Sequence, residues 1–191
     1  MFTSLENGTG LEVVIWLQAH SSPALNALAR VLDTAGLMQI YFVLIVLLYW
    51  RFDRRWALRC AAFMLLASLL VTGSKFALAR PRPYQVAPER VRALVIPRGY
   101  GIVPSYGFPS GHVTYALLFW GLLAQRSRRR WLVVWWLLIF GLQAWSRMAL
   151  GVHYPQDVVG GALIGLLLLG LDMMIPAYHP SLAPSVTSYK P

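Results

Sequence analysis

The sequence predicts an all-α, polytopic transmembrane bundle, and three observations predict it. Hydrophobic residues make up 58% of the 191 positions and charged residues only 13%, whereas a soluble domain carries about a quarter of its residues charged. The apolar residues are gathered into long runs. The basic residues lie between those runs: 17 Lys and Arg against 7 acids give a net charge of +10, a distribution that suits anionic lipid headgroups and argues against nucleic acid as a partner. Cys60 is the sole cysteine, which excludes an intrachain disulfide and a thiol-based metal site. Glu6 and Glu12 stand where a basic leader region would be, so no cleavable signal peptide is expected.

Taken in chain order, "LEVVIWLQAH" (11–20) is too short for a hydrocarbon core that needs about 20 residues and reads as an interfacial helix. Ser22-Pro23 then has the form of an N-cap followed by proline at the first helical position. In the helix it opens, Leu25, Leu28 and Leu32 share a face opposite Asn26, Arg30 and Asp33, so this piece is expected to lie on the membrane surface. Residues 1–33 are therefore assigned to interfacial amphipathic helices. Five candidate spans follow, centred on 34–50, 56–79, 110–125, 131–149 and 156–174. Their uncharged cores run slightly short, so Trp, Tyr and snorkelling Arg must complete them at headgroup depth. Residues 34–178 form the expected transmembrane domain and 179–191 a C-terminal tail. "GALIG" (161–165) has the spacing that lets neighbouring helices of one subunit approach closely.

Five spans put "RFDRR", "RSRRR" and the C-terminus on one side, and the long loop 80–109 and the short loop holding His153 on the other. The first side holds nine Lys and Arg and the second eight; without Lys75, Arg82 and Arg147, which belong to the site described next, the balance is nine to five. The positive-inside rule then places "RFDRR" and "RSRRR" in the cytoplasm. The protein is expected in the cytoplasmic membrane, with the two other loops facing outside.

That topology brings unexpected polar residues to one depth. Lys75 falls near the outer end of the second span, His112 at the outer start of the third, Arg147 at the outer end of the fourth, and His153 and Asp157 at the outer start of the fifth. Ionisable residues in spans are costly and face a bundle interior or an aqueous cavity, so convergence from four helices points to a site. Lys75, Arg82 and Arg147 are three cations rich in donors, a cradle for a phosphoryl group. Ser110 and Gly111 stand where a helix begins, and its backbone N–H groups add anion donors. The two histidines supply a nucleophile or base and an acid. Pro155 at a first helical position puts Asp157 in the first turn, within reach of the His153 ring, which would leave the far ring nitrogen free to attack.

"KFALARPRP" with Lys75 and Arg82, "PSGH" (109–112) and "SRMALGVHYPQD" with Arg147, His153 and Asp157 together resemble the type 2 phosphatidic acid phosphatase superfamily, whose soluble relatives include vanadium haloperoxidases. The three motifs are complete and in order over residues 75–157. The resemblance implies an all-helical fold and a phosphohistidine mechanism in which His153 attacks phosphorus, Asp157 orients His153 and His112 protonates the leaving oxygen. Lys75, Arg82, Ser110, Gly111 and Arg147 would hold the phosphoryl oxygens. Membrane members often have six spans, one more than the count here.

Other polar residues read as structural. His20 and His179 have no comparable setting. Arg80 reads as a surface arginine, and Arg90, Arg92 and Arg98 with Tyr84, Tyr100 and Tyr106 as solvated loop residues that a diphosphate could also use. The function expected is hydrolysis of a lipid phosphate or diphosphate of the phosphatidic acid, phosphatidylglycerophosphate or undecaprenyl diphosphate type. Competing readings are a lipid phosphotransferase with the same intermediate and a non-catalytic lipid-phosphate binding or transport protein, which would not need two histidines and an orienting aspartate. No metal and no cofactor is expected: two-metal phosphatases need several ligands around ions about 3.5 to 4 Å apart, and of the seven acids only Asp157 sits in a motif.

Overall fold

The computed structural model describes residues 6–51, 53–95, 105–127 and 129–175. The expected tail 179–191 with its His179, and Arg98 and Tyr100 of the long loop, lie outside the described residues. Regular structure among the described residues is helical throughout: α1 (Leu11–Ala19), α2 (Pro23–Ala35), α3 (Met38–Arg51), α4 (Arg54–Leu78), α5 (Gly111–Ser127), α6 (Arg130–Ala149) and α7 (Pro155–Met174), with short helical turns at Glu6–Gly10 and Pro83–Val86.

Local chemistry sets the ends of these helices. Ser22 Oγ accepts from the Leu25 N–H at 3.3 Å, and Pro23 fills the first turn of α2. Asp53 Oδ1 accepts from the Arg55 and Trp56 N–H groups at the start of α4, while its Oδ2 holds Arg126 at 2.9 Å. Each contact gives partners to amides that a helix N-terminus leaves without them. Gly151 turns the chain between α6 and α7 at φ +73°, where a Cβ would stand 2.5 Å from the Arg92 carbonyl oxygen. Only glycine meets both demands at low cost.

The bundle has an apolar core around Met64, Leu118 and Phe119, a polar cluster buried at one end, and an apolar outer surface. Gln143, Ser146, Arg147 and Asp157 are buried, while Leu69, Val134, Leu137, Leu163 and Leu167 are exposed. Lipid tails are as apolar as leucine, so helices in a bilayer are held by close packing and internal polar contacts. α5 is the central element, packed against α3, α4, α6 and α7. Its contact with α7 depends on small residues: a Cβ on Gly161 would meet the Ser110 carbonyl oxygen at 2.5 Å, one on Gly165 the Leu117 side chain at 2.9 Å, and one on Gly121 the Leu169 side chain at 2.5 Å. The "GALIG" glycines thus join helices of one subunit. Near the start of α4, Arg59 Nε donates to Asp172 Oδ1 at 2.5 Å and ties α4 to the last turn of α7.

Among the described residues, three stretches are long and apolar enough to cross a membrane: 54–86, α6 and α7. The pair α2 and α3, bent by 55°, passes the same test when taken together. The five expected spans correspond in position to α3–α7, but α3 has 14 residues and α5 has 17. At 1.5 Å per residue, 14 residues rise about 21 Å, short of a hydrocarbon core of about 30 Å. α2 also has a place in the bundle. It packs on α6 with Ala29 buried and Asp33 turned inward, while Leu25 and Leu28 remain exposed.

Candidate active site

His153 lies in the loop between α6 and α7, with its ring buried. Pro155 starts α7, and Asp157 stands three residues after the N-cap Tyr154. Asp157 Oδ2 accepts from the Tyr154 N–H at 2.9 Å and lies 3.1 Å from His153 Nδ1. On the other side of the ring, Arg82 Nη1 is 3.3 Å from His153 Nε2 and also donates to the Val152 carbonyl at 2.8 Å. A guanidinium can only donate, so Nε2 is the accepting nitrogen and the proton resides on Nδ1, donated to Asp157. Burial pushes the imidazole well below its ordinary pKa of 6.5, and Arg82, Lys75, Arg147 and the neighbouring His112 push it further the same way. The ring is therefore neutral at pH 7, with an unprotonated Nε2 facing a cation.

Three cations from separate elements act on this ring by charge, and Arg82 also contacts it. Arg82, just before the turn Pro83–Val86, is further fixed by Nε donating to the Ser105 carbonyl at 2.8 Å. Lys75 from the last turn of α4 donates to the Tyr106 carbonyl at 2.8 Å. Arg147 from the last turn of α6 is buried; its Nη1 meets Asp33 Oδ1 at 2.6 Å, and its Nη2 has no hydrogen-bond partner among the described residues. Ser110, at the head of α5, is in the same condition: its Oγ is buried and without a hydrogen-bond partner among the described residues. Its backbone is held in place, with the N–H donating to the Asp157 carbonyl at 2.9 Å and the carbonyl accepting from Thr114 Oγ1 at 3.0 Å. Buried donors without partners are costly, and a phosphoryl group offers the oxygens that would satisfy them. Gly111 opens α5 directly after Ser110, and a helix N-terminus offers backbone N–H groups to an anion.

His112, one residue further on, faces the corner between α2 and α3. Its Nε2 is 3.1 Å from the Asp33 carbonyl oxygen and 3.4 Å from Asp33 Oδ1. The structure thus brings His112, Arg147, His153, Asp157, Lys75, Arg82, Ser110 and Gly111 to one end of the bundle. It adds two residues that the sequence reading did not place there, Asp33 and Gln143. Gln143 is buried on α6, and its Nε2 donates to the Leu32 carbonyl at 2.8 Å. A signal for Asp33 did exist: it is a lone acid just ahead of a span, at the depth where the other ionisable residues gather.

Several loop residues have partners elsewhere. Arg90 pairs with Glu12 at 2.8 Å in an exposed contact. Gln18 of α1 donates to the Arg92 carbonyl at 2.7 Å and accepts from the Arg92 N–H at 3.1 Å. Tyr84 packs beside Leu11, Val14, Val91 and Tyr154. α1 and the loop therefore brace the backbone that carries His153.

A histidine–carboxylate pair beside three cations, at one end of a helical bundle with an apolar exterior, has the chemistry of a phosphoryl-transfer site. A model of the PAP2 superfamily matches residues 56–179, and the chain belongs to that superfamily. An undecaprenyl-diphosphatase from Sulfolobus acidocaldarius is 25% identical over 174 residues, covering 91% of this chain and 81% of the relative. A lipid A 4'-phosphatase from Bacteroides thetaiotaomicron is 38% identical over 60 residues; the match covers 31% of this chain and only 27% of that protein. Among solved structures, LpxE from Aquifex aeolicus superposes with a TM-score of 0.73 at 24% identity, covering 86% of this chain and 94% of that one. A PAP2-type phosphatidylglycerolphosphate phosphatase from Bacillus subtilis gives 0.72 at 21% identity, covering 92% and 90%. At such identities these structures establish a shared fold.

Proposed function

We propose that this chain hydrolyses a lipid phosphate or diphosphate through a phosphohistidine on His153, without a metal ion. The observation that carries the reading is the His153 ring, with Nδ1 held by Asp157 at 3.1 Å and Nε2 turned toward Arg82 at 3.3 Å. Nε2 attacks phosphorus. The bond from phosphorus to the lipid oxygen breaks as the P–N bond forms, and His112 gives its proton to the departing oxygen. Water then attacks the phosphohistidine, His112 takes a proton from that water, and inorganic phosphate leaves with His153 restored. Asp157 stabilises the charge that His153 acquires. Lys75, Arg82, Arg147, Ser110 and the N–H groups at Gly111 bind the phosphoryl oxygens, where charge develops in the transition state.

Supporting a metal-independent route, the positive charges of Arg82, Lys75 and Arg147 act on the ring and could neutralise phosphate charge there. The names of the relatives support a lipid substrate: a lipid A phosphate, an undecaprenyl diphosphate and a phosphatidylglycerolphosphate. The charge balance supports a location in the cytoplasmic membrane with the site facing outside, so the lipid would enter sideways from the outer leaflet. Within this reading residues 34–178 form the phosphatase domain, and 1–33 brace its site. Phosphate release by the purified protein in detergent, measured on a panel of lipid phosphates and diphosphates with and without chelator, tests it. Release from at least one lipid, undiminished by chelator, is expected. Activity that chelator removes and magnesium restores, on a lipid that stays dispersed, would refute the metal-free route.

A further inference from the structure

We infer that Asp33 is a positioning residue for the leaving-group acid, a second carboxylate that serves His112 as Asp157 serves His153. The inference rests on the proposed phosphatase reading and extends it to a helix outside the three motifs. The corner between α2 and α3 is fastened to the site at four points. Leu32 O accepts from Gln143 at 2.8 Å, Asp33 O lies 3.1 Å from His112 Nε2, and Asp33 Oδ1 lies 2.6 Å from Arg147 Nη1 and 3.4 Å from His112 Nε2. The fourth is Gly36, where a Cβ would stand 2.6 Å from His112 Cδ2 and 2.8 Å from the Gln143 amide, so only a glycine lets the corner sit this close.

These contacts assign the two ring nitrogens of His112 different tasks. With Nε2–H given to Asp33, Nδ1 is the nitrogen left to carry a proton to the departing lipid oxygen. The charged groups around the ring are the Asp33 carboxylate from α2 and the Arg147 guanidinium from α6. Asp33 engages both groups at once, its Oδ1 lying 2.6 Å from Arg147 Nη1 and 3.4 Å from His112 Nε2. Asp33 also leaves the phosphate side of Arg147 available: Nη1 is engaged by the carboxylate, Nε lies 3.4 Å from Ser146 Oγ, and Nη2 has no hydrogen-bond partner among the described residues. A carboxylate that merely blocked the phosphate position would engage Nη2 and Ser110 Oγ, and this one engages neither.

The proton matters in proportion to how poor the leaving group is. A lipid alkoxide needs it; an activated aryl oxygen departs with little help. The test measures kcat/KM for a lipid phosphate monoester and for an aryl phosphate in the wild type, Asp33→Asn, His112→Ala and the double variant. Asparagine keeps the shape and the backbone carbonyl at position 33 and removes the charge. The ratio of the lipid rate to the aryl rate is independent of how much of each preparation is folded. It is expected to fall at least about tenfold in Asp33→Asn, a share of the 10²–10⁴ that a positioned acid contributes. It should fall further in His112→Ala, with no additional fall in the double variant. A ratio unchanged in Asp33→Asn, or lowered by that substitution when His112 is already absent, would overturn the inference. Wild-type protein that released phosphate from neither substrate would overturn the phosphatase reading itself, and this inference with it.

Discussion

Replacing His153 by alanine is expected to abolish turnover, and Asp157→Asn to lower it by about 10⁴-fold, the loss seen when a nucleophilic triad loses its orienting carboxylate. The two substitutions act on one geometry. In the native site the Asp157 carboxylate accepts from His153 Nδ1 and from the Tyr154 N–H, which keeps the attacking lone pair on Nε2. An asparagine amide in that position can turn its NH₂ toward Nδ1, forcing the ring proton onto Nε2 and directing the lone pair away from phosphorus. Binding should survive, because Lys75, Arg82 and Arg147 are untouched. The check is kcat together with vanadate affinity: Asp157→Asn should lose rate far more than it loses affinity for this mimic of the transition-state geometry. Near-normal rates in either variant would remove these residues from the mechanism.

Arg147→Ala is expected to lower kcat by about 10²–10³, the range found when one preorganised donor to a developing anion is removed. It should weaken vanadate inhibition in parallel. Arg147 is buried at the end of α6, so alanine also leaves the half-buried Asp33 carboxylate without its 2.6 Å partner. Breaking a buried pair from one side costs about 3–5 kcal/mol in stability, and partial exposure of Asp33 reduces that figure here. A thermal unfolding midpoint in detergent below that of the wild type should accompany the kinetic loss. Arg147→Lys should recover little: a lysine presents one compact charge, whereas the native fork divides its donors between Asp33, Ser146 and the phosphate side. Full activity in the lysine variant would show that charge alone suffices.

Much of the fold was legible because the bilayer constrains the sequence so strongly. Apolar runs, basic clusters between them and glycines at 161 and 165 suffice to indicate helices, a bundle and a tight helix contact. The contact between His153 and Asp157 was legible for a local reason. His153, Pro155 and Asp157 lie within five residues, so one helix start fixes their relation. Asp33 illustrates what was not legible. Its partners lie 79 and 114 residues away, and on its own helix it reads as one more polar residue opposite a leucine stripe. Only the corner at Gly36 shows that Asp33 faces the site while Leu25 and Leu28 stay exposed. The length of the spans was also hard to read, because hydropathy locates an apolar run at 34–50 but not the 55° bend that joins α3 to α2.

The central claim is a covalent phosphohistidine, and the stereochemical course at phosphorus tests it most directly. Hydrolysis of a lipid phosphorothioate made chiral with oxygen isotopes distinguishes two in-line displacements from one. Attack by His153 followed by attack of water inverts phosphorus twice, so retention of configuration is the predicted result. Inversion would mean that water attacks the lipid phosphate directly, and His153 would then be a base or a ligand instead of the nucleophile.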